Sequence, residues 1–211
     1  MSADNKSLNQ QNSLYLGAYI VTHILIFSAL ALNLTFNETI LPTLEKLISS
    51  TSLSLIFGIF TIVINGQLSP HIKAILVFWR LQDPLPGCRA FSHFMEKDLR
   101  IDSTLIKSKY SNLPTVPSEQ NRLWYKIYKK HEDKLSVDNS QKNFLLARDL
   151  TALSFLFSII FSISGYFVIE NAKVKLFYFA SLFLMFLLTS GAARNYGICF
   201  VNNVLAEESI T

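Results

Sequence analysis

Four stretches without a single Asp, Glu, Lys or Arg, residues 14–34, 47–72, 150–169 and 176–193, stand in two pairs on either side of a charged central segment. Each is helix-length, because a hydrocarbon core of about 30 Å takes roughly 20 residues in helical form. In lipid only a helix or a closed barrel satisfies its own backbone polar groups. The runs are rich in Leu, Ile and Phe and do not alternate, which sets a barrel aside. The sequence therefore predicts an all-α membrane protein, with four transmembrane helices in two hairpins and a helical cytoplasmic insertion between the second and third. The expected plan is an N-terminal tail over 1–13, a hairpin over 14–66, the insertion over 67–149, a second hairpin over 150–193 and a C-terminal tail over 194–211.

Charge sets the orientation. Of the 19 Lys and Arg residues, 14 lie between Lys73 and Arg148, although the whole chain is only 16% charged. Basic flanks stay on the cytoplasmic side of a bacterial membrane. Lys73 and Arg80 follow the second run and Lys130, Lys134, Lys142 and Arg148 precede the third, while the other connections hold only Lys46, Lys173 and Lys175. Both termini and the central segment are thus expected in the cytoplasm, with the lipid bilayer as the chain's first partner. The net charge of +4 is explained by this asymmetry and carries no specific nucleic-acid signal. The first run exceeds a signal-peptide core and lacks a small-residue cleavage pattern, so it is expected to remain as a membrane helix. Cys88 and Cys199 form no disulfide framework or paired-cysteine metal motif, and no cofactor is expected.

Within the spans, small and hydroxylated residues recur at helical spacing. Ser54, Gly58, Thr61 and Asn65 mark one face of the second run, and Ser154, Ser158 and Ser162 with Gly165 mark one face of the third. Small residues let backbones approach where lipid supplies no hydrophobic drive for association. The stripes read as packing seams, between identical chains as well as within one, and also as candidates to line a pore. His23 is an ionisable group near the middle of the first run. It is a functional candidate by position, while the plainer reading, and the one favoured, is a neutral histidine hydrogen-bonded to a Ser or Thr of a neighbouring helix.

The insertion reads as a folded domain. Ser69-Pro70 opens a helix expected to reach Leu81, and Asp83-Pro84-Leu85-Pro86-Gly87 then makes a rigid turn that presents Cys88 and Arg89. Asp102 or Ser103 caps a short helix, and a clearer one spans 118–131. Its apolar face holds Trp124 and Tyr128 and its basic side Lys129 and Lys130. That face fits either the domain core or a membrane surface or soluble protein partner. A last helix, beginning near Asp138, runs without a breaker into the third span, and residues 195–205 are expected to extend the fourth helix and pack on the domain.

Cys88, His93, Glu96, Asp98 and Asp102 could supply a nucleophile and bases, yet nothing around them matches a catalytic context, and no enzyme is expected. The segments Asp83-Pro-Leu-Pro-Gly-Cys-Arg-Ala-Phe91, Arg100-Ile-Asp102 and Gln120-Asn-Arg-Leu-Trp-Tyr-Lys-Ile-Tyr128 together resemble small bacterial membrane proteins of phage-defence loci, with the membrane subunit of the Kiwa system as an architectural comparison. The resemblance implies an inner-membrane homo-oligomer with a soluble partner, and transfers no active site. The functional expectation is a membrane-bound sensor or effector component of antiviral defence. The alternatives are a passive membrane anchor or assembly scaffold and, third, a membrane-associated Cys/His enzyme.

Overall fold

The computed structural model describes residues 8–31, 63 and 66–210. Among them the regular structure is helical, without a strand: α1 (Leu8–Ala31), α2 (Pro70–Phe78), α3 (Ser103–Lys109), α4 (Pro117–His131), α5 (Leu135–Val168) and α6 (Ala172–Ile210). A tight 3₁₀ turn at Pro86–Arg89 and a wide π turn at Ala90–Phe94 lie between α2 and α3. Three helices, α1, α5 and α6, are long and apolar enough to cross a membrane. Most of the span expected over 47–72 lies outside the described residues, and with it Ser54, Gly58, Thr61 and Asn65. The described residues thus hold three of the four expected helices.

The chain divides into two compact units, one of Met1–Ser69 with Asp149–Thr189 and one of Pro70–Arg148 with Ser190–Thr211. In the first, α1 meets α5 and α6 through aromatic rings. Phe27 lies 5.1 Å from Phe161 and 6.3 Å from Tyr178, centroid to centroid. A Cβ on Gly165 would come within 3.2 Å of both Ile169 and Phe179, so this glycine admits the close approach of α6 to α5. Asn171 caps α6, its Oδ1 accepting from the backbone N–H groups of Lys173 (3.0 Å) and Val174 (3.3 Å). Lys175 donates to the Tyr166 carbonyl at 2.8 Å, satisfying an orphaned acceptor at the end of α5. The connection is short, as expected for antiparallel neighbours.

The second unit has a conventional apolar core. Val77, Ile106, Ile127, Val137, Val201, Val204 and Leu205 are completely buried in one cluster. Each such side chain contributes about 1.5–3 kcal/mol by leaving water, so the final turns of α6 are integral to this core. The expectation that residues 195–205 continue the helix and pack on the domain holds. Gly197 sets the spacing, since a Cβ there would stand 2.7 Å from the Phe78 ring and 2.9 Å from the Phe144 ring.

Helix boundaries differ from expectation where tertiary groups intervene. α2 stops at Phe78 instead of Leu81, because Trp79 (φ 54°) and Asp83 (φ 46°) are left-handed. The free carbonyls at its end are taken by α6: Ser190 Oγ donates to Leu76 O (3.1 Å) and Val77 O (3.2 Å), and Arg194 donates to Val77 O through Nη2 (3.1 Å) and Nε (3.3 Å). α5 begins at Leu135, a turn before Asp138, whose carboxylate instead binds Lys142 at 2.6 Å.

Candidate functional site

Ser154 is the polar junction of the first unit. α5 holds it buried, and its hydroxyl meets Tyr19 OH of α1 at 2.7 Å and Thr189 Oγ1 of α6 at 3.2 Å, while donating to Leu150 O at 2.7 Å. One hydroxyl thus ties three helices. Ser154 was a candidate for a seam or a pore; here it is enclosed by helices of its own chain, because its neighbours bring the hydrogen-bond partners that hydrocarbon cannot. Ser158 is half-buried and donates to the carbonyl of Phe155 in its own helix at 2.7 Å. Ser162 is half-buried one turn further on.

His23 is buried one turn along α1 from Tyr19. Its Nδ1 lies 2.9 Å from the Tyr19 carbonyl, so among the described residues the ring is tied to its own backbone. Rings lie beside it, Tyr19 at 4.2 Å and Phe157 at 5.2 Å, and Ser54 and Thr61 of the second run fall outside the described residues.

In the second unit, the prediction that the Pro-rich turn presents Cys88 is corrected. Cys88 is 5% exposed, because the turn packs under α4; a Cβ on Gly87 would stand 2.9 Å from the Trp124 ring. Burial, with the Asp83 carboxylate adding to it, pushes the Cys88 thiol up, away from its nucleophilic form. Trp124 and Tyr128 likewise lie in the core, stacked on each other at 5.9 Å and edge-on to Phe200, and so present no free surface to a membrane or partner. Lys129 remains exposed, paired with Glu132. Lys130 reaches Tyr110 OH at 2.7 Å. Gln120 is buried, and its Oε1 accepts from Phe91 N, Ser92 N and Ser92 Oγ at 3.1–3.2 Å, capping the wide turn.

Arg89, beside Cys88 in the Pro-rich turn, meets no carboxylate among the described residues. Its guanidinium instead lies over the Phe94 ring at 5.5 Å, and its buried Nε has no hydrogen-bond partner among the described residues. Desolvation lowers its pKa, and the Arg80 and Arg194 charges lower it further. The five residues considered for chemistry are engaged separately. Glu96 binds Lys107 (2.6 Å), Asp98 binds Arg100 (2.7 Å), Asp102 caps α3 and His93 stands edge-on to Phe94 (5.1 Å).

A site that sequence reasoning missed surrounds Glu208. This carboxylate, 1% exposed, accepts from His131 Nε2 (2.6 Å), Tyr110 OH (2.7 Å) and Lys109 Nζ (2.6 Å), with Lys130 Nζ at 3.5 Å. Glu208 stands about 22 Å beyond the charge-free run at the helical rise. Burial opposes its ionisation, but hydrogen bonds from Lys109, Tyr110 and His131 and the Lys130 charge prevail and hold it at about 2. A signal was present. Glu208 follows Val201, Val204 and Leu205, and His131 follows Trp124, Ile127 and Tyr128, each at the last place of an i, i+3, i+4, i+7 apolar stripe. A charged group on an apolar stripe needs a buried partner.

No family model, curated protein or solved structure matches this chain. Its class therefore follows from its own architecture, which among the described residues is all-helical, with three helices able to cross a membrane and a separately cored helical unit.

Proposed function

We propose that the chain is a multi-pass inner-membrane component with four spans and cytoplasmic termini, whose second unit receives a soluble protein partner or signal and relays it to the packing of the membrane helices. The observation that carries this reading is the sharing of α5 and α6 between the units, at Arg148/Asp149 and Thr189/Ser190. Neighbouring residues on α6 are bonded on both sides of that boundary. Thr189 holds Ser154 in one unit, and Ser190 holds the end of α2 in the other. A rotation of α6 would strain both sets of bonds at once. Assembly into a homo-oligomer and a role as sensor or effector in antiviral defence extend the same reading, supported by the resemblance of the central segment.

The test inserts Gly-Gly between Arg148 and Asp149 in bacteria expressing the chain with its neighbouring genes. The intact chain should lower phage plating and permeabilise the membrane on infection, and the insertion should abolish both while leaving membrane localisation and partner co-purification intact, because flexible residues interrupt the helix. Full protection by the insertion variant would overturn relay and establish a passive anchor. Reporters after Thr211 and within 112–118 should report cytoplasm; a periplasmic signal from either would end the cytoplasmic reading.

A further inference from the structure

Three arginines converge at the end of α2. Arg80 follows Trp79 directly, and Arg194 of α6 lies over the Trp79 ring at 4.9 Å while bonding the Val77 carbonyl. Arg89 faces both closely enough for their charges to act on it. The charges of Lys97, Arg89 and Arg80, in that order, also act on His93. The acid in this neighbourhood is Asp83, which acts on Cys88. Among the described residues no carboxylate forms an ion pair with Arg80, Arg89 or Arg194.

An uncompensated arginine group beside a buried, unpartnered Nε is costly unless an anion completes it. Arginine forks match phosphate oxygens in pairs. The wide turn's own N–H groups are already taken by Gln120, which leaves the guanidinium groups as the available donors.

The position along the chain selects the kind of anion. Arg194 is the first charged residue after the charge-free run 176–193, and so falls where that span leaves the hydrocarbon. Around the arginines, large apolar side chains are open: Trp79 is 58% exposed and Leu81 80% exposed. In a water-facing domain these are misplaced. At a membrane interface an exposed Trp beside arginines is the favoured arrangement.

We propose that Arg80, Arg89 and Arg194 bind the phosphate of an anionic phospholipid in the cytoplasmic headgroup layer, with Trp79 and Leu81 entering the interface beside it. This rests on the chain spanning a membrane, but not on relay or antiviral action. The lipid site would fix the depth of the second unit's edge against the bilayer surface.

The test uses the purified full chain in nanodiscs, so its failure is separable from failure of the relay experiment in cells. Phosphatidylglycerol titrated into phosphatidylcholine nanodiscs should bind by native mass spectrometry, and Arg80→Gln with Arg89→Gln should weaken binding about thirtyfold, at roughly fivefold per charge near the surface. Arg194 is left in place because it caps α2. Arg122→Gln with Lys126→Gln, on the exposed side of α4, should change binding little. Equal losses in the two pairs would overturn the site in favour of diffuse attraction. Stabilisation by inorganic phosphate in phosphatidylcholine alone, matching that by the anionic lipid, would overturn the lipid assignment in favour of a soluble phosphate ligand. Should the double variant misfold, the wild-type chain still decides. A headgroup nitroxide on phosphatidylglycerol should quench Trp79 and spare the buried Trp124, whereas an unquenched Trp79 would place the arginines away from the headgroups.

Discussion

The two units of this protein are built inside out relative to one another. Where α1 meets the membrane portions of α5 and α6, the buried positions include His23, Thr151 and Ser154, while Ile160, Ile163, Phe167 and Phe177 face outward. In the unit around α4, Val77, Ile106, Ile127 and Val201 are inside, and Lys107, Lys126 and Lys129 are outside. The difference reflects the solvent. Lipid offers no gain for hiding an isoleucine, so helices there associate through ring packing, small residues and hydroxyl bonds. Water drives apolar burial directly. Even so, each unit holds a buried polar junction, at Ser154 and at Glu208, and the two differ in strength. A neutral hydroxyl bond in a membrane is worth about 0.6 kcal/mol on average, whereas a carboxylate buried among cations leaves several kcal/mol of imbalance when removed.

The largest effect should therefore come from Glu208→Ala. It leaves His131, Lys109 and Lys130 facing an empty site, and should destabilise the second unit by about 3–5 kcal/mol. Hydrogen exchange should rise across α4 and the end of α6 and stay unchanged in α1; unaltered protection of α4 would show that the carboxylate does not hold the core together. The same group sets an acid limit. Because Glu208 is held at about 2, below its ordinary value of 4.5, its contribution is complete above pH 4.5 and is lost as pH falls through about 2. Unfolding of the wild-type unit should steepen in that window, and Glu208→Gln should flatten the slope.

A paired substitution tests the inversion itself. Ile160→Asp, on the outward face of α5, should cost about 2.5–3.5 kcal/mol in membrane insertion. Leu99→Asp, at a fully exposed position of the second unit, should change stability by less than about 0.5 kcal/mol. Insertion assays and thermal unfolding measure the two, and comparable small effects at both would place α5 in water.

The smallest effect should come from Ser154→Ala, which removes one hydroxyl from the Tyr19–Ser154–Thr189 junction and should cost about 0.6 kcal/mol. Unfolding in detergent would register it. A loss of several kcal/mol would mean that this junction is as demanding as the one at Glu208, and the contrast between the units would fail.

Much of the architecture was legible because it depends on long, repeated patterns. Charge-free runs of helix length imply membrane helices whatever their neighbours, and α1, α5 and α6 follow them. Pro70 and Asp102 place the starts of α2 and α3, since capping is local chemistry. The expectation that the final tail packs on the central unit came from the apolar residues it keeps, Ile198, Phe200, Val201, Val204 and Leu205. The stripes bearing Glu208 and His131 carried the same information, but each names only half of an interaction.

What the sequence determined by itself, then, was which segments form helices and which of them suit lipid, because both follow from the properties of single segments. Tertiary structure decided which side chains meet. It ended α2 at Phe78 by lending it Ser190 and Arg194, enclosed Cys88 beneath α4, and left Arg89 without a carboxylate. It also brought Glu208 to His131 across 77 residues of chain. Such pairings depend on how distant helices fill common space, where a few tenths of an ångström select the partner, and no local pattern encodes that selection.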